Sequence, residues 1–228
     1  MPHRIKALTL DLDDTLWAVD AVIERAERAL HAWCERSAPR FAQNLPPAEF
    51  ALYRRALARE LPALAHDFTA LRLEALRRAL REHGEDPMLA EAAFEVFIAA
   101  RNQVEMYPDA ADALCRLSAR YKLAVVSNGN ADVSRIGIDG HFAAVVNARS
   151  AGCAKPDRRI FHAACEALAV RPDEVLHVGD DPELDVRGAV DAGVRAAWIN
   201  RHGRPWIGAS VDMVEFRDLR ALCAWLGV

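Results

Sequence analysis

Four short stretches hold residue types that could act together on a phosphate group. Asp11 and Asp13 stand two apart in Lys6–Trp17, KALTLDLDDTLW, so one carboxylate can attack while its neighbour reaches the leaving group. Ser127 is followed by Asn128 and Gly129, where a hydroxyl and two backbone amides can hold a tetrahedral anion and glycine allows close approach. Lys155 precedes Pro156, and Gly179-Asp180-Asp181 is followed by Asp185. The inventory is one lysine, one hydroxyl and a surplus of carboxylates. Oxygen donors without nitrogen or sulfur select a hard cation, and beside a phosphate that cation is Mg²⁺ by default.

These groups must be brought together by the elements they end. Ala7 to Leu12 reads as a buried parallel strand that stops at carboxylates, and in open α/β sheets ligands sit beyond the carboxyl ends of strands. Lys122–Val126, Ala143–Asn147, Val175–Val178 and Arg195–Ile199 read as further strands. They alternate with helices from Pro108-Asp109 to about Arg120, from Asp157 to Leu168, from Pro182 to about Ala192 and from Leu219 to Leu226. That alternation predicts an α/β fold with a doubly wound, Rossmann-like parallel sheet. No strand candidate lies between Trp17 and Glu105, where Val22, Ala26, Leu30 and Trp33, then Leu71, Leu76 and Leu80, then Leu89, Ala93 and Phe97 recur at helical spacing. The expected division is a core of 1–16 and 105–228 and an inserted helical domain of 17–104.

With a formal net charge of -4, 228 residues and 52% hydrophobic content, the chain supports a sizeable core and makes no electrostatic case for nucleic acid. Its 5 cysteines are odd in number and contain no C-x-x-C pair, and its 8 histidines show no metal spacing. The reading is a cytoplasmic protein, monomer or homodimer, with no signal peptide, membrane span or nucleic-acid partner and with a small phosphomonoester as ligand.

Together, D-x-D-x-T at Asp11, Asp13 and Thr15, then Ser127, then Lys155-Pro156, then G-D-x-x-x-x-D at Gly179, Asp180 and Asp185 resemble the four ordered motifs of the haloacid dehalogenase superfamily. The helical insertion after the first motif resembles its C1-type cap. The resemblance implies Asp11 as nucleophile forming an aspartyl-phosphate, and Asp13 as the acid that protonates the leaving oxygen and then activates water. It implies Ser127, Asn128 and Lys155 as phosphate contacts. Mg²⁺ would be held by Asp11, the backbone carbonyl of Asp13, and Asp180, with Asp181 or Asp185 acting through water or through Lys155. It also implies phosphatase rather than dehalogenase chemistry, because halide departure needs no acid at Asp13, and no Schiff base, because 17–105 contains no lysine. A phosphomutase and an idle phosphate-ligand sensor are the remaining alternatives.

Substrate choice would fall to the inserted helices. His66, Asp67, Thr69 and Arg72 stand at a helix start, where Asp67 can equally be a cap and Arg72 a solvated residue, while Trp17 and Phe68 could face a ring and Trp17 could equally pack the hinge of the insertion. This H-D-x-T-x-x-R stretch is similar to one in bacterial flavin mononucleotide phosphatases, which also act on 5-amino-6-(5-phospho-D-ribitylamino)uracil. The runs at Ser127–Ala131 and Leu176–Asp181 resemble the same subgroup. The implied substrates are therefore flavin mononucleotide or a riboflavin-pathway ribityl phosphate, with sugar phosphates and nucleotides as alternatives.

Overall fold

Six strands pair in parallel in the order β3-β2-β1-β4-β5-β6: β1 Ala7–Leu10, β2 Lys122–Ser127, β3 Ala144–Asn147, β4 Val175–Gly179, β5 Arg195–Ile199 and β6 Met213–Phe216. This is a computed structural model, and it describes residues 5–207 and 209–228. The central strand β1 is buried along its whole length, as are β4 and all but the first residue of β2, which is why these strands read as continuous apolar runs rather than alternating ones. Leu10 lies opposite both Val125 and Val178, Ser127 opposite Asn147, and Gly179 opposite Trp198. That register ends β1, β2 and β4 at one level, so Asp11, Ser127 and Asp180 emerge along the same edge of the sheet.

Contacts divide the chain into two units, one of Met1–Ala18, Glu105–Gly129 and Gly137–Val228, the other of Val19–Val104 and Asn130–Ile136. In the first, the helix Arg158–Leu168 packs with Ala7, Ala124, Val126, Val175 and Trp198 on one face of the sheet. Alternation leaves Leu8, Leu10, Val125 and Val178 for the opposite face. The helices Ala110–Arg120 and Leu219–Leu226 pack together, and a buried clamp joins them. Arg201 donates both terminal nitrogens to Asp109 at 2.9 and 3.0 Å, and Asp109 also accepts from the Leu219 amide.

The second unit is helical: α1 Val19–Ser37, α2 Pro39–Asn44, α3 Pro47–Glu60, α4 Phe68–Glu82 and α5 Leu89–Arg101, with the short α7 Val133–Ile136, numbered after α6 Ala110–Arg120. Leu30, Phe41, Phe50, Leu76 and Phe97 are among the residues of its core. Residues 130–136 group with these helices and not with the strand they follow.

Three local features depart from the expected elements. The strand β6 is additional: only four residues long and partly exposed at the sheet edge, it carries no apolar run. β1 stops at Leu10, so Leu12 is buried in the following turn. The helix after β4 opens with a wide π-helical turn, Pro182–Arg187, before one α-helical turn Gly188–Asp191; Asp185 and Val186 both donate their amides to the Asp181 carbonyl.

Candidate active site

A buried lysine joins two carboxylates at the edge of the sheet. The Lys155 ammonium donates to Asp11 and, at 2.6 Å, to Asp185. All three side chains are less than a tenth exposed. The Lys155 backbone is held by the Asn128 side chain, whose carbonyl accepts from the Lys155 amide at 2.7 Å and whose amide donates to the Lys155 carbonyl at 3.0 Å. The Asn128 amide group is thus committed to positioning Lys155, with a cis Lys155–Pro156 bond beside it. Ser127 is buried, and its hydroxyl accepts from the Gly129 amide.

Behind this pair runs a second buried chain. His177 bridges Thr9 through Nδ1 at 2.9 Å and Asp185 Oδ1 through Nε2 at 3.0 Å, and its ring meets Phe161 edge-on. The other Asp185 oxygen accepts from the Asp181 amide. Asp185 is therefore fixed from three directions. Gly179 is required for this: a Cβ there would lie 2.3 Å from Asp185 Cγ, so any side chain would displace the carboxylate. The glycine serves close approach, not a left-handed backbone.

The electrostatics follow from that packing. Burial alone would lower the Lys155 ammonium, but Asp11 and Asp185 outweigh it and hold it protonated. Burial opposes the charge on Asp185, and Lys155 and His177 overcome it, keeping that carboxylate ionised. Asp11 is pushed well above the usual range by burial, with Asp185 adding to the rise against Lys155. Asp180 is pushed up to about 7 by burial and by Asp185, Asp14 and Asp181. His177 is lowered by burial and stays neutral.

A cation would relieve this imbalance. Carboxylate oxygens of Asp11, Asp180 and Asp185 lie within 4.8 Å of one another, and one lysine cannot balance three negative charges there. The donor set is all oxygen and fits Mg²⁺.

The remaining expected residues take varied places. Asp13 accepts from the Trp17 indole at 2.8 Å. Trp17 is fully buried, and it bridges Met106 where the chain leaves and re-enters this unit, so its ring is packing rather than a face open to ligand. Asp14 takes a left-handed turn conformation, φ 57°. Asp181 caps the wide turn by accepting from the Glu183 and Leu184 amides. In the helical unit, Asp67 caps α4 through the Thr69 and Ala70 amides, His66 is partly buried, and Arg72 is buried in a two-point pair with Glu27.

Sequence reasoning missed the loop that follows β5. Asn200 braces Arg204 by accepting from its amide and donating to its carbonyl, and Arg204 Nη2 donates to the Asp180 carbonyl at 3.1 Å and nears its carboxylate. The Trp198 indole donates to the same carbonyl. A basic residue in a Gly/Pro-rich loop just past a strand end was the available signal.

Residues 5–193 match a family model described as haloacid dehalogenase-like hydrolase. The chain is 34% identical over 96% of its length to the 5-amino-6-(5-phospho-D-ribitylamino)uracil phosphatase YigB of Escherichia coli, covering 90% of that protein. It is 34% identical over 95% of its length to a phosphoserine phosphatase of Thermus thermophilus, covering 97% of it. A solved 2-haloacid dehalogenase from Pseudomonas syringae is 37% identical, with a TM-score of 0.92 and 98% of each chain covered.

Proposed function

Because the chain belongs to the haloacid dehalogenase-like hydrolases, we propose that it is a Mg²⁺-dependent phosphomonoester hydrolase working through an aspartyl-phosphate. The observation that carries this is the buried cluster of Asp11, Lys155, Asp185 and Asp180, which holds more negative charge than it can balance and supplies a nucleophile beside a fixed cation. Asp11 attacks phosphorus, forming an Oδ–P bond as the bond to the leaving oxygen breaks. Asp13 gives a proton to that oxygen and then takes one from the water that attacks the acyl phosphate, regenerating the Asp11 carboxylate. Lys155 and Ser127 contact the phosphoryl oxygens, and the Asn128 clamp keeps Lys155 in line. Asp11 and Asp180, with the Asp13 carbonyl, would hold Mg²⁺, and Asp185 would orient Lys155. When bound, the ion screens the charge gathering on the transferring group.

The 34% identity to a riboflavin-pathway phosphatase over nearly the whole chain supports flavin mononucleotide or a ribityl phosphate as substrate. The helical unit acts as the cap that selects it. Five unpaired cysteines support a cytoplasmic setting, and among the described residues no helix is long and apolar enough to cross a membrane.

The likeness to a 2-haloacid dehalogenase makes dehalogenation the second reading, and Asp13 distinguishes them, since halide departure requires no acid. The test is release of phosphate from flavin mononucleotide, phosphoserine and sugar phosphates, with Mg²⁺ and with chelator, beside release of chloride from 2-chloropropionate. Magnesium-dependent phosphate release supports the proposal. Chloride release without phosphate release would replace it.

A further inference from the structure

The loop that follows β5 holds Arg204 as the active site holds Lys155. The Asn128 side chain grips the Lys155 backbone at both its amide and its carbonyl, and the Asn200 side chain grips the Arg204 backbone in the same two-point way, at 2.8 Å to each group. Each basic residue also stands before a proline, Pro156 or Pro205, which narrows its backbone freedom. Asn200 is 4% exposed and is itself anchored. Its amide donates to the Phe216 carbonyl at 2.8 Å, and its side chain also donates to Glu215 at 2.6 Å. Gly203, left-handed at φ 62°, turns the chain so that Arg204 meets Asn200. A buried asparagine whose two side-chain polar atoms both serve this brace is more than a half-exposed surface arginine requires.

The two braced cations divide the carboxylates between them. Lys155 meets Asp11 and Asp185. Arg204 meets Asp180, its Nη2 donating to the carbonyl at 3.1 Å and reaching the carboxylate at 3.4 Å. The Trp198 indole shares that carbonyl at 2.8 Å. Arg201, from the same loop, donates to the Thr15 carbonyl at 2.8 Å, so one loop touches both the turn that carries Asp11 and Asp13 and the turn that carries Asp180.

We propose that Arg204 is a positioning residue that holds the Asp180 carboxylate in place for a divalent cation. That the cation serves phosphate chemistry rests on the phosphatase reading; the pairing of Arg204 with Asp180 rests on the geometry alone. A carboxylate has two oxygens, and one held by a guanidinium leaves the other for a metal in a fixed direction. A cationic side chain beside a cation site also repels the ion, and exposure decides which effect wins. Arg204 is half solvated, so water screens its charge, whereas the direction of its N–H groups is set by the buried Asn200 brace and is not screened. Orientation therefore outweighs repulsion, and loss of Arg204 weakens metal binding instead of tightening it.

The test is calorimetric titration of the full-length protein, stripped with chelator and dialysed, with MgCl₂ alone. Arg204→Met is expected to bind Mg²⁺ about tenfold more weakly, as for other groups that orient a metal ligand, with an unchanged circular dichroism spectrum. Asn200→Ala, which removes the brace and keeps the guanidinium, should weaken binding in the same direction. Arg187→Met is the control for a loosened loop: Arg187 ties the far end of the loop through the Ala209 carbonyl, and its loss is expected to leave the Kd unchanged. An unchanged or tighter Kd in Arg204→Met or in Asn200→Ala, equal weakening in Arg187→Met, or no Mg²⁺ binding by the native chain would overturn the assignment. Phosphate release by the native chain with Mg²⁺ would leave the phosphatase reading standing beside an unchanged Kd in Arg204→Met. Mg²⁺ binding that depends on Arg204, in a chain that hydrolyses no ester, would keep the assignment and remove that reading.

Discussion

The two units each bury an ion cluster, and the clusters are mirror images in charge. In the α/β unit one lysine serves Asp11 and Asp185 with Asp180 alongside; in the helical unit one glutamate serves Arg54 and Arg72. A balanced buried pair stabilises at best weakly, and breaking it is costly. An unbalanced one is worse for stability than either, so its persistence points to something that arrives from solvent with the missing charge. For the first cluster the proposed arrival is a cation.

The largest effect should come from removing the nucleophile. Asp11→Asn keeps the hydrogen-bonding shape beside Lys155 but cannot attack phosphorus, and phosphate release is expected to fall by at least about 10³-fold. Chelator should bring native activity down comparably, with Mg²⁺ restoring it. A variant retaining native turnover would place the covalent step elsewhere.

The next effect is on stability. Glu27→Gln leaves Arg72, 5% exposed, with no counter-charge, and urea denaturation should show a loss of about 3–5 kcal/mol. A loss below about 1 kcal/mol would mean that stacking on Phe97 and water already neutralise the guanidinium, and the comparison of clusters would fail on the helical side.

Asp180→Asn should act with the opposite sign. Without metal, the ionised Asp180 carboxylate is repelled by Asp185, Asp14 and Asp181, so its removal is expected to raise stability in chelator by roughly 2 kcal/mol while abolishing the response to Mg²⁺. Melting curves with and without Mg²⁺ test both halves. A variant that melts lower in chelator would show that Arg204 already satisfies this carboxylate.

How far these clusters were legible in the sequence follows the same divide. Part of the α/β site was readable because three of its groups end apolar runs, and parallel strands bring their ends to one edge. Asp11, Ser127 and Asp180 needed only that rule. Their partners were less visible. Asn128 was read as a phosphate contact through its backbone amide, and its side chain in addition grips the Lys155 backbone; Trp17 was read as either a ring near the substrate or hinge packing, and it is buried against Asp13. In both cases residue type showed capability and only packing showed commitment. The helical cluster was not legible at all beyond Arg72. Glu27, Arg54 and Arg72 come from three helices, and helical periodicity tells which face is apolar without telling which faces meet. β6 was missed for a related reason: a four-residue edge strand has no need of a continuous apolar run.

The smallest expected effect probes the support beneath the first cluster. His177 joins Thr9 in the central strand to the carboxylate oxygen that also holds Lys155. His177→Gln can keep one of these two hydrogen bonds, so the fold should survive with a loss of about 1–2 kcal/mol. Asp185 would then hold Lys155 less firmly, and kcat should fall about tenfold, since small misplacements of a charge aimed at the transition state are felt there. KM should change little, because the group displaced lies beneath the phosphate site. If the role is positional, Thr9→Val should add almost nothing to His177→Gln in kcat, both breaking the same chain. Additive losses would mean that the two residues support the strands independently, and that the nucleophile's lysine owes its place to Asn128 and Asp185 alone.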